Sequence, residues 1–313
     1  MSELGYVQLH TARGIGPATM RRVLARLNQI NVSLDEFLDL PSGEQVARFG
    51  LAHQQAEALY AAREEAERVY DELQQKEIAL LTLTSPGYPP LLQQRLGEKS
   101  PLVLYVWGNP SLLERRAVGF CGARDASEKG ISVAEDCATQ LADWGWVVVS
   151  GGARGVDTAT HRAVLEAGGN TVIVLPEGIL KYRLRQELRS LVSESQVLVV
   201  SEFSPNTVWS ASNAMQRNRT ICGLSEAMIV IESGTSGGTF EAGKVVLRLK
   251  MLLFIADYAE PSASASGNAY FINHGARPLR RNAESGRANL EPLRRAVENG
   301  VEAKPIVVQE RLF

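Results

Sequence analysis

From Arg116 onward, short apolar runs alternate with stretches of helical periodicity. AVGFCG, WVVVSGG, TVIVLPEG, VLVVSEF, AMIVIESG and MLLFIAD are separated by segments whose apolar residues recur at three- and four-residue steps. A strand without polar alternation is apolar on both faces, so both faces must be covered. Helical crossovers do this when the strands run parallel. The pattern predicts an α/β domain built on a doubly wound, mostly parallel sheet. In such sheets ligands lie beyond the carboxyl ends of the strands, where this chain concentrates Gly, Ser, Arg and acidic residues.

The preceding chain has a different texture. Residues 1–75 carry helical spacing throughout, and AEALYAAREEAERVYDELQQKE reads as one long amphipathic helix. Residues 76–115 mix short β-prone runs with Pro and Gly and read as a connector with a strand or two. The expected organisation is a small helical domain of helix-hairpin-helix or SAM-like type over 1–75, the connector, the α/β domain over 116–285 and a tail over 286–313. Within the third unit AEPSASASGNAY is small and polar and reads as a flexible loop or lid. The GIGP turn near the start has two readings: a phosphate-contacting corner between helices, or architecture.

With 313 residues, 45% of them hydrophobic, the chain can fill a large core, and its net charge of -2 gives no global basic signature. Any polyanionic partner must be met by a local cluster. Cys121, Cys137 and Cys222 form neither a disulfide framework nor a metal-ligand pattern, so no metal and no cofactor are expected. A reducing cytoplasm fits this usage. The start lacks a secretory pattern, and no apolar run is long enough to span a membrane.

Three strand ends carry a small-residue turn that leads into a helix. They are GFCGARDASEKG, with Gly122 and Arg124, SGGARGVD over 150–157, and ESGTSGGTFEAGK over 232–244, with Ser236, Gly237, Gly238 and Thr239. Such turns bring backbone N–H groups close to an anion, and the helix N-terminus adds partial positive charge. None is a G-x-G-x-x-G fingerprint or a P-loop, so the prediction is a shared phosphate crevice of unspecified chemistry. Arg124, Arg154, Arg217 and Arg219 accompany the turns, the last two bracketing Asn218, and guanidinium groups suit phosphate. Asp157 reads as capping its helix or touching a ligand, and His161 as a buried, hydrogen-bonded side chain rather than a base. Glu202 and Glu241 fall near strand tips, where capping and chemistry compete.

With these residues in view, the chain resembles the DNA-processing protein A (DprA, or Smf) family. TARGIGPATMRRVLARL, LTLTSPGYPPLLQQRLGEKSPLVLYVWGN, GARDASEKG, SGGARGVDTATHRAVLEAGGNTVIVLPEGI, SEFSP, QRNRTICGLSEAMIVIESGTSGGTFEAG and GNAYFINHGARPL follow in that family's order. The resemblance implies an extended Rossmann-like domain that binds single-stranded DNA, forms a homodimer and loads a RecA-type recombinase during DNA uptake or repair. It carries DNA contact to Arg124, to Ser150, Gly151, Gly152, Arg154 and Gly155, and to Arg217, Asn218 and Arg219. The chain stops about a small domain short of relatives with a C-terminal winged helix. SGGTFEAG replaces the family's S-G-S/T-L-x-T-A turn and installs Glu241, and ASASASGN replaces a Pro-Gly turn.

Glu241 keeps a second class open. The cytokinin-activating phosphoribohydrolases of the same superfamily carry P-G-G-x-G-T-x-x-E. Here the glutamate stands one residue early, and Ala242 occupies the expected position. In that version the protein is a nucleotide N-glycosidase with Glu241 as base and Arg217 or Arg219 on the phosphate. A third class is a sensor of a nucleotide-derived signal, including one recruited to defence.

Overall fold

The structure, a computed structural model, describes residues 3–300. Residues 301–313 of the expected tail lie outside the described residues. The first helices are α1 (Glu3–Thr11), α2 (Pro17–Ile30), α3 (Leu34–Asp39), α4 (Ser42–Phe49), α5 (His53–Ala61) and α6 (Arg63–Gln75). The stretch read as one long helix is thus divided between α5 and α6. They meet at Ala62, which stays in the right-handed helical region and still accepts from the Ala66 amide at 2.8 Å.

Then follow β1 (Ala79–Thr82), α7 (Pro90–Leu96), β2 (Val103–Gly108), β3 (Ala117–Cys121), α8 (Glu128–Asp143), β4 (Val147–Ser150), α9 (Val156–Glu166) and β5 (Asn170–Leu175). The chain continues through α10 (Gln186–Arg189), β6 (Val197–Ser201), α11 (Ala211–Gly223), β7 (Ala227–Val230), α12 (Gly238–Arg248), β8 (Leu252–Ala256), α13 (Asn268–Asn273), β9 (Arg277–Leu279) and α14 (Glu291–Glu298).

Among the described residues nine strands join one sheet in the order β1-β2-β6-β5-β4-β3-β7-β8-β9. β3 to β9 pair in parallel, and the antiparallel pair β1–β2, joined through α7 and drawn from the segment read as a connector, adds antiparallel strands beside β6. From β3 the chain steps outward through β4, β5 and β6, then crosses back to place β7 on the other side of β3. The strand order therefore reverses between β3 and β7, which is where open α/β sheets hold ligands.

The sheet has an apolar layer on each face because the strands are apolar throughout. Val148 packs with Ala134 and Cys137 of α8 and Val164 of α9, in a cluster continuous with Val7, Met20 and Phe37 of the first helices. Its neighbours Val147 and Val149 turn to Leu92 of α7, Ile221 of α11 and Val246 of α12. The polar segment after Asp257 is tied down rather than free. Buried Glu232 accepts from the Ser262 hydroxyl at 3.0 Å and the Ser264 hydroxyl at 2.6 Å. Asn268 donates to the carbonyls of Ile231 and Ala256 at 2.9 and 2.8 Å. Among the described residues no helix is long and apolar enough to cross a membrane.

The helical layer meets the sheet through polar contacts as well as apolar ones. Arg21 donates to the Ser100 carbonyl at 2.7 Å, and the His10 ring pairs with the Tyr105 hydroxyl at 3.0 Å. Burial holds the His10 imidazole well below its usual range, at about 4. The unfolded chain therefore takes up this proton near pH 6.5 while the folded one does not, so stability is full above that pH and falls as pH drops toward about 4. Urea unfolding should show a slope of up to about 1.4 kcal/mol per pH unit from this group. His10→Gln should lack that component, and a wild-type minus variant difference that is flat with pH would contradict it.

Candidate nucleic-acid interface

The crevice opens over the carboxyl ends of β3, β4, β5 and β7. One cavity of about 580 Å³ lies at the reversal between β3 and β7, lined by Gly122 and Arg124 from the first turn and by Ser236, Gly237, Gly238 and Thr239 from the third. A second, of about 510 Å³, lies over β4 and β5, lined by Gly152, Arg154, Glu177, Tyr182, Arg183 and Arg185. Arg124, Ala153, Trp209, Ala214 and Arg217 line both, so the two are one continuous groove.

The second turn forms the partition between them. Gly155 has φ +79°, and a Cβ there would stand 2.4 Å from the carbonyl oxygens of Ala123 and Arg124. Only glycine lets the loops after β3 and β4 approach this closely. The Gly122 carbonyl in turn accepts from the Thr239 hydroxyl at 2.9 Å, which couples the first and third turns. Asp157 accepts from the Ala153 amide at 3.2 Å and so holds the loop that precedes its own helix.

His161 is buried, with Nε2 2.7 Å from the Gly151 carbonyl and Nδ1 2.6 Å from the Thr171 hydroxyl. The carbonyl can only accept, so Nε2 carries hydrogen, and burial lowers the ring's proton affinity. The ring therefore supports the loop and presents no free nitrogen to a ligand.

The arginines divide by exposure. Arg124, Arg154 and Arg183 are exposed at the groove's rim. Arg154 pairs with Asp125 at 3.0 Å, a contact between exposed groups that a phosphate can replace at little loss. Arg185 is half-buried and donates through Nε to the Gly152 carbonyl at 2.8 Å. Arg217 is only 6% exposed and donates through Nη1 to the Val174 carbonyl at 2.8 Å.

Several expected residues sit elsewhere. Ser150 does not reach the groove: it is fully buried, and its hydroxyl donates to the Phe120 carbonyl at 3.0 Å, tying β4 to β3. Arg217 and Arg219 do not act side by side, because residues two apart on a helix face different ways. Asn218 lines the groove, whereas Arg219 lines a separate cleft with Arg21 of α2 and Glu202. The GIGP turn lies near that cleft, which includes Pro17 and Ala18, and the Gly14 carbonyl is fastened by Gln55 at 2.8 Å.

Glu202 is engaged by Gln216 and Thr220 at 2.8 and 2.7 Å, and burial raises its proton affinity. Glu241 lines the groove but is paired with Lys244 at 2.6 Å. Among the described residues no cluster of His, Cys, Asp or Glu could hold a metal.

Sequence reasoning missed Glu177, Tyr182, Arg183, Arg185 and Trp209. The basic run KYRLR after the Gly178 turn was the available signal for the arginines. Nothing in the local pattern marks Trp209, which is 52% exposed with the Arg124 guanidinium 6.0 Å from its ring centroid. Val208 and Met215 are also large, apolar and exposed.

A doubly wound domain with glycine turns, a helix N-terminus and arginines gathered at its strand-order reversal defines an extended Rossmann-like α/β protein. A family model described as DNA recombination-mediator protein A matches residues 79–288, more than half of the chain, and the chain belongs to that family. It is 29% identical over 273 residues to Protein Smf of Synechocystis sp., covering 84% of this chain and 67% of that protein. It is 32% identical over 182 residues to a putative DNA processing protein DprA of Mycobacterium tuberculosis, covering 56% of this chain and 46% of that protein. The chain thus spans from under half to about two thirds of these relatives.

Its fold is that of DNA processing protein A from Streptococcus pneumoniae, with a TM-score of 0.73 at 22% identity over 89% of this chain and 95% of that one. DNA processing protein A from Helicobacter pylori, solved for its single-stranded DNA binding mode, aligns with a TM-score of 0.56 at 22% identity over 65% and 92%.

The packing of Gly151 is testable. A Cβ added there would stand 1.7 Å from Arg217 Nη1, whereas one added at Gly152 would meet only Tyr182 at 4.0 Å. Gly151→Ala should lower unfolding free energy by about 1–3 kcal/mol and Gly152→Ala by less than about 0.5 kcal/mol. Equal effects in urea unfolding would contradict the contact.

Proposed function

We propose that this chain binds single-stranded DNA along the groove and serves as a recombination mediator in DNA uptake or repair. The carrying observation is the combination at the groove's rim: exposed arginines beside exposed Trp209. Guanidinium groups and loop N–H groups grip phosphates without reading sequence, and an exposed indole stacks on an unpaired base. A duplex keeps its bases stacked inside and offers such an indole nothing. Family membership and the single-stranded DNA binding of the Helicobacter pylori relative support the same reading. In this reading the protein works as a cytoplasmic homodimer and hands the strand to a RecA-type recombinase.

Salt titration of binding to a labelled oligonucleotide tests this. Each phosphate contact removed should make the slope of log affinity against log salt shallower by about 0.7, so replacing Arg124 and Arg183 together should remove about 1.4. Trp209→Ala should weaken binding by about tenfold, within the ~1–3 kcal/mol of a stacked base, and leave the slope unchanged. Salt-independent binding, or equal affinity for duplex of the same length, would contradict the proposal.

A further inference from the structure

A cavity of about 790 Å³, larger than either half of the groove, shares no lining residue with it. It lies at the carboxyl ends of β8 and β9, between Lys129, Val133 and Asp136 of α8 and the 280–288 segment that follows β9. This is the ligand side of an open α/β sheet, and the volume is that of a small-metabolite site.

The 280–288 segment is fastened to α8. It folds back on itself at the bridge between Arg281 and Ala288, and the Asn289 amide donates to the Arg280 carbonyl at 2.8 Å. Asp136 accepts from the Ala288 amide at 2.6 Å and from Arg287 Nε at 2.5 Å. Gln140 donates to the Ala288 carbonyl at 2.9 Å. The cavity is therefore closed on that side by a wall fixed at several points.

Charge in the wall does not balance. Four cations line the cavity against two carboxylates. Arg280 pairs with Asp257 at 2.8 Å, and Arg287 with Asp136. Lys129 and Arg281 have no carboxylate partner among the described residues. The Lys129 ammonium lies 5.3 Å from the Tyr258 ring centroid, and Arg281 Nε donates to the Gly286 carbonyl at 2.7 Å. Tyr258 belongs to the same wall, and its hydroxyl is buried with no hydrogen-bond partner. Burial and the nearby Glu232 carboxylate raise its pKa, so the hydroxyl keeps its hydrogen and is a donor lacking an acceptor.

Two uncompensated positive charges call for two negative ones. A phosphate monoester carries close to two at neutral pH, with oxygens enough for an ammonium and a guanidinium together. A phosphodiester within a strand carries one, and the strand would have to thread past the segment fastened to α8. Val133, Ala256, Leu279 and Ala288 give the organic part of a monoester an apolar surface.

We propose that this cavity is a second ligand site, for a phosphate monoester of small-metabolite size. Lys129 and Arg281 hold its phosphate, and the Tyr258 hydroxyl donates to an oxygen of its organic part. The site is separate from the strand-binding groove and does not depend on the reading given to that groove.

Isothermal titration calorimetry of the full chain with adenosine monophosphate and with glucose 6-phosphate tests it, in the presence and absence of saturating oligo-dT. At least one of the two should bind, equally well with the oligonucleotide present. Replacing Lys129 and Arg281 together by Ala should weaken that binding about tenfold or more, the loss of two charge-assisted contacts. Both residues are exposed, so the unfolding midpoint should stay unchanged, which reports that the variant is folded. Tyr258→Phe should weaken binding about fivefold, the scale of one neutral hydrogen bond. Binding of neither monoester, binding abolished by oligo-dT, or binding that survives the double replacement overturns the proposal. Succinate binding as tightly as the monoester overturns its assignment to phosphate. If oligo-dT itself fails to bind, the groove reading falls while the monoester and variant results still decide this site.

Discussion

Arg217 carries a permanent charge to a place that is almost closed to water, and the surrounding chain is arranged around that fact. Its Nη1 holds the end of β5 through Val174, while its guanidinium lies across Gly151, where no side chain fits. Burial disfavours its charged form, and the carboxyl groups of Asp157, Glu177 and Glu202 oppose that effect. The helix after β6, the turn after β4 and the tip of β5 are thereby locked into one rigid wall. A preorganised wall holds the groove's donors in fixed positions.

In a chain with a net charge of -2, the positive charge along the groove is placed locally. Along this groove the exposed guanidinium groups come from the turns after β3, β4 and β5, which are far apart in sequence and converge only at the sheet's edge. The acidic groups nearby are mostly occupied elsewhere. Glu232, buried, would have its proton affinity raised by that burial, but donors from Ser127, Ser264 and Ser262 together hold it below the usual carboxylate range. It fastens the segment after β8 to the start of α8 and contributes to architecture.

The sheet was legible because its strands are uniformly apolar and their spacing leaves room for a helix between each pair. The glycine turns were legible for the same local reason. What eluded sequence reasoning depends on tertiary direction. Ser150 sits in the expected turn but points under β3. Arg217 and Arg219 are near neighbours in sequence, yet the helix turns one into the groove and the other toward α2. The serine-rich segment after Asp257 resembles a linker by composition, and only the three-dimensional approach of Glu232 gives its hydroxyls partners. Trp209 and Glu177 have no periodic context, so their meeting with Arg124 and Arg217 could be found only in the folded chain.

Amide hydrogen exchange with and without a saturating single-stranded oligonucleotide tests the central claim most directly. That claim is that the turns after β3, β4 and β7 form one strand-binding groove at the reversal of strand order. The account predicts slowed exchange over residues 122–126, 151–156 and 234–239 together, with the 204–210 segment that carries Trp209 joining them. Protection confined to the helical layer of residues 1–75, or exchange in all three turns unchanged at saturation, would contradict it.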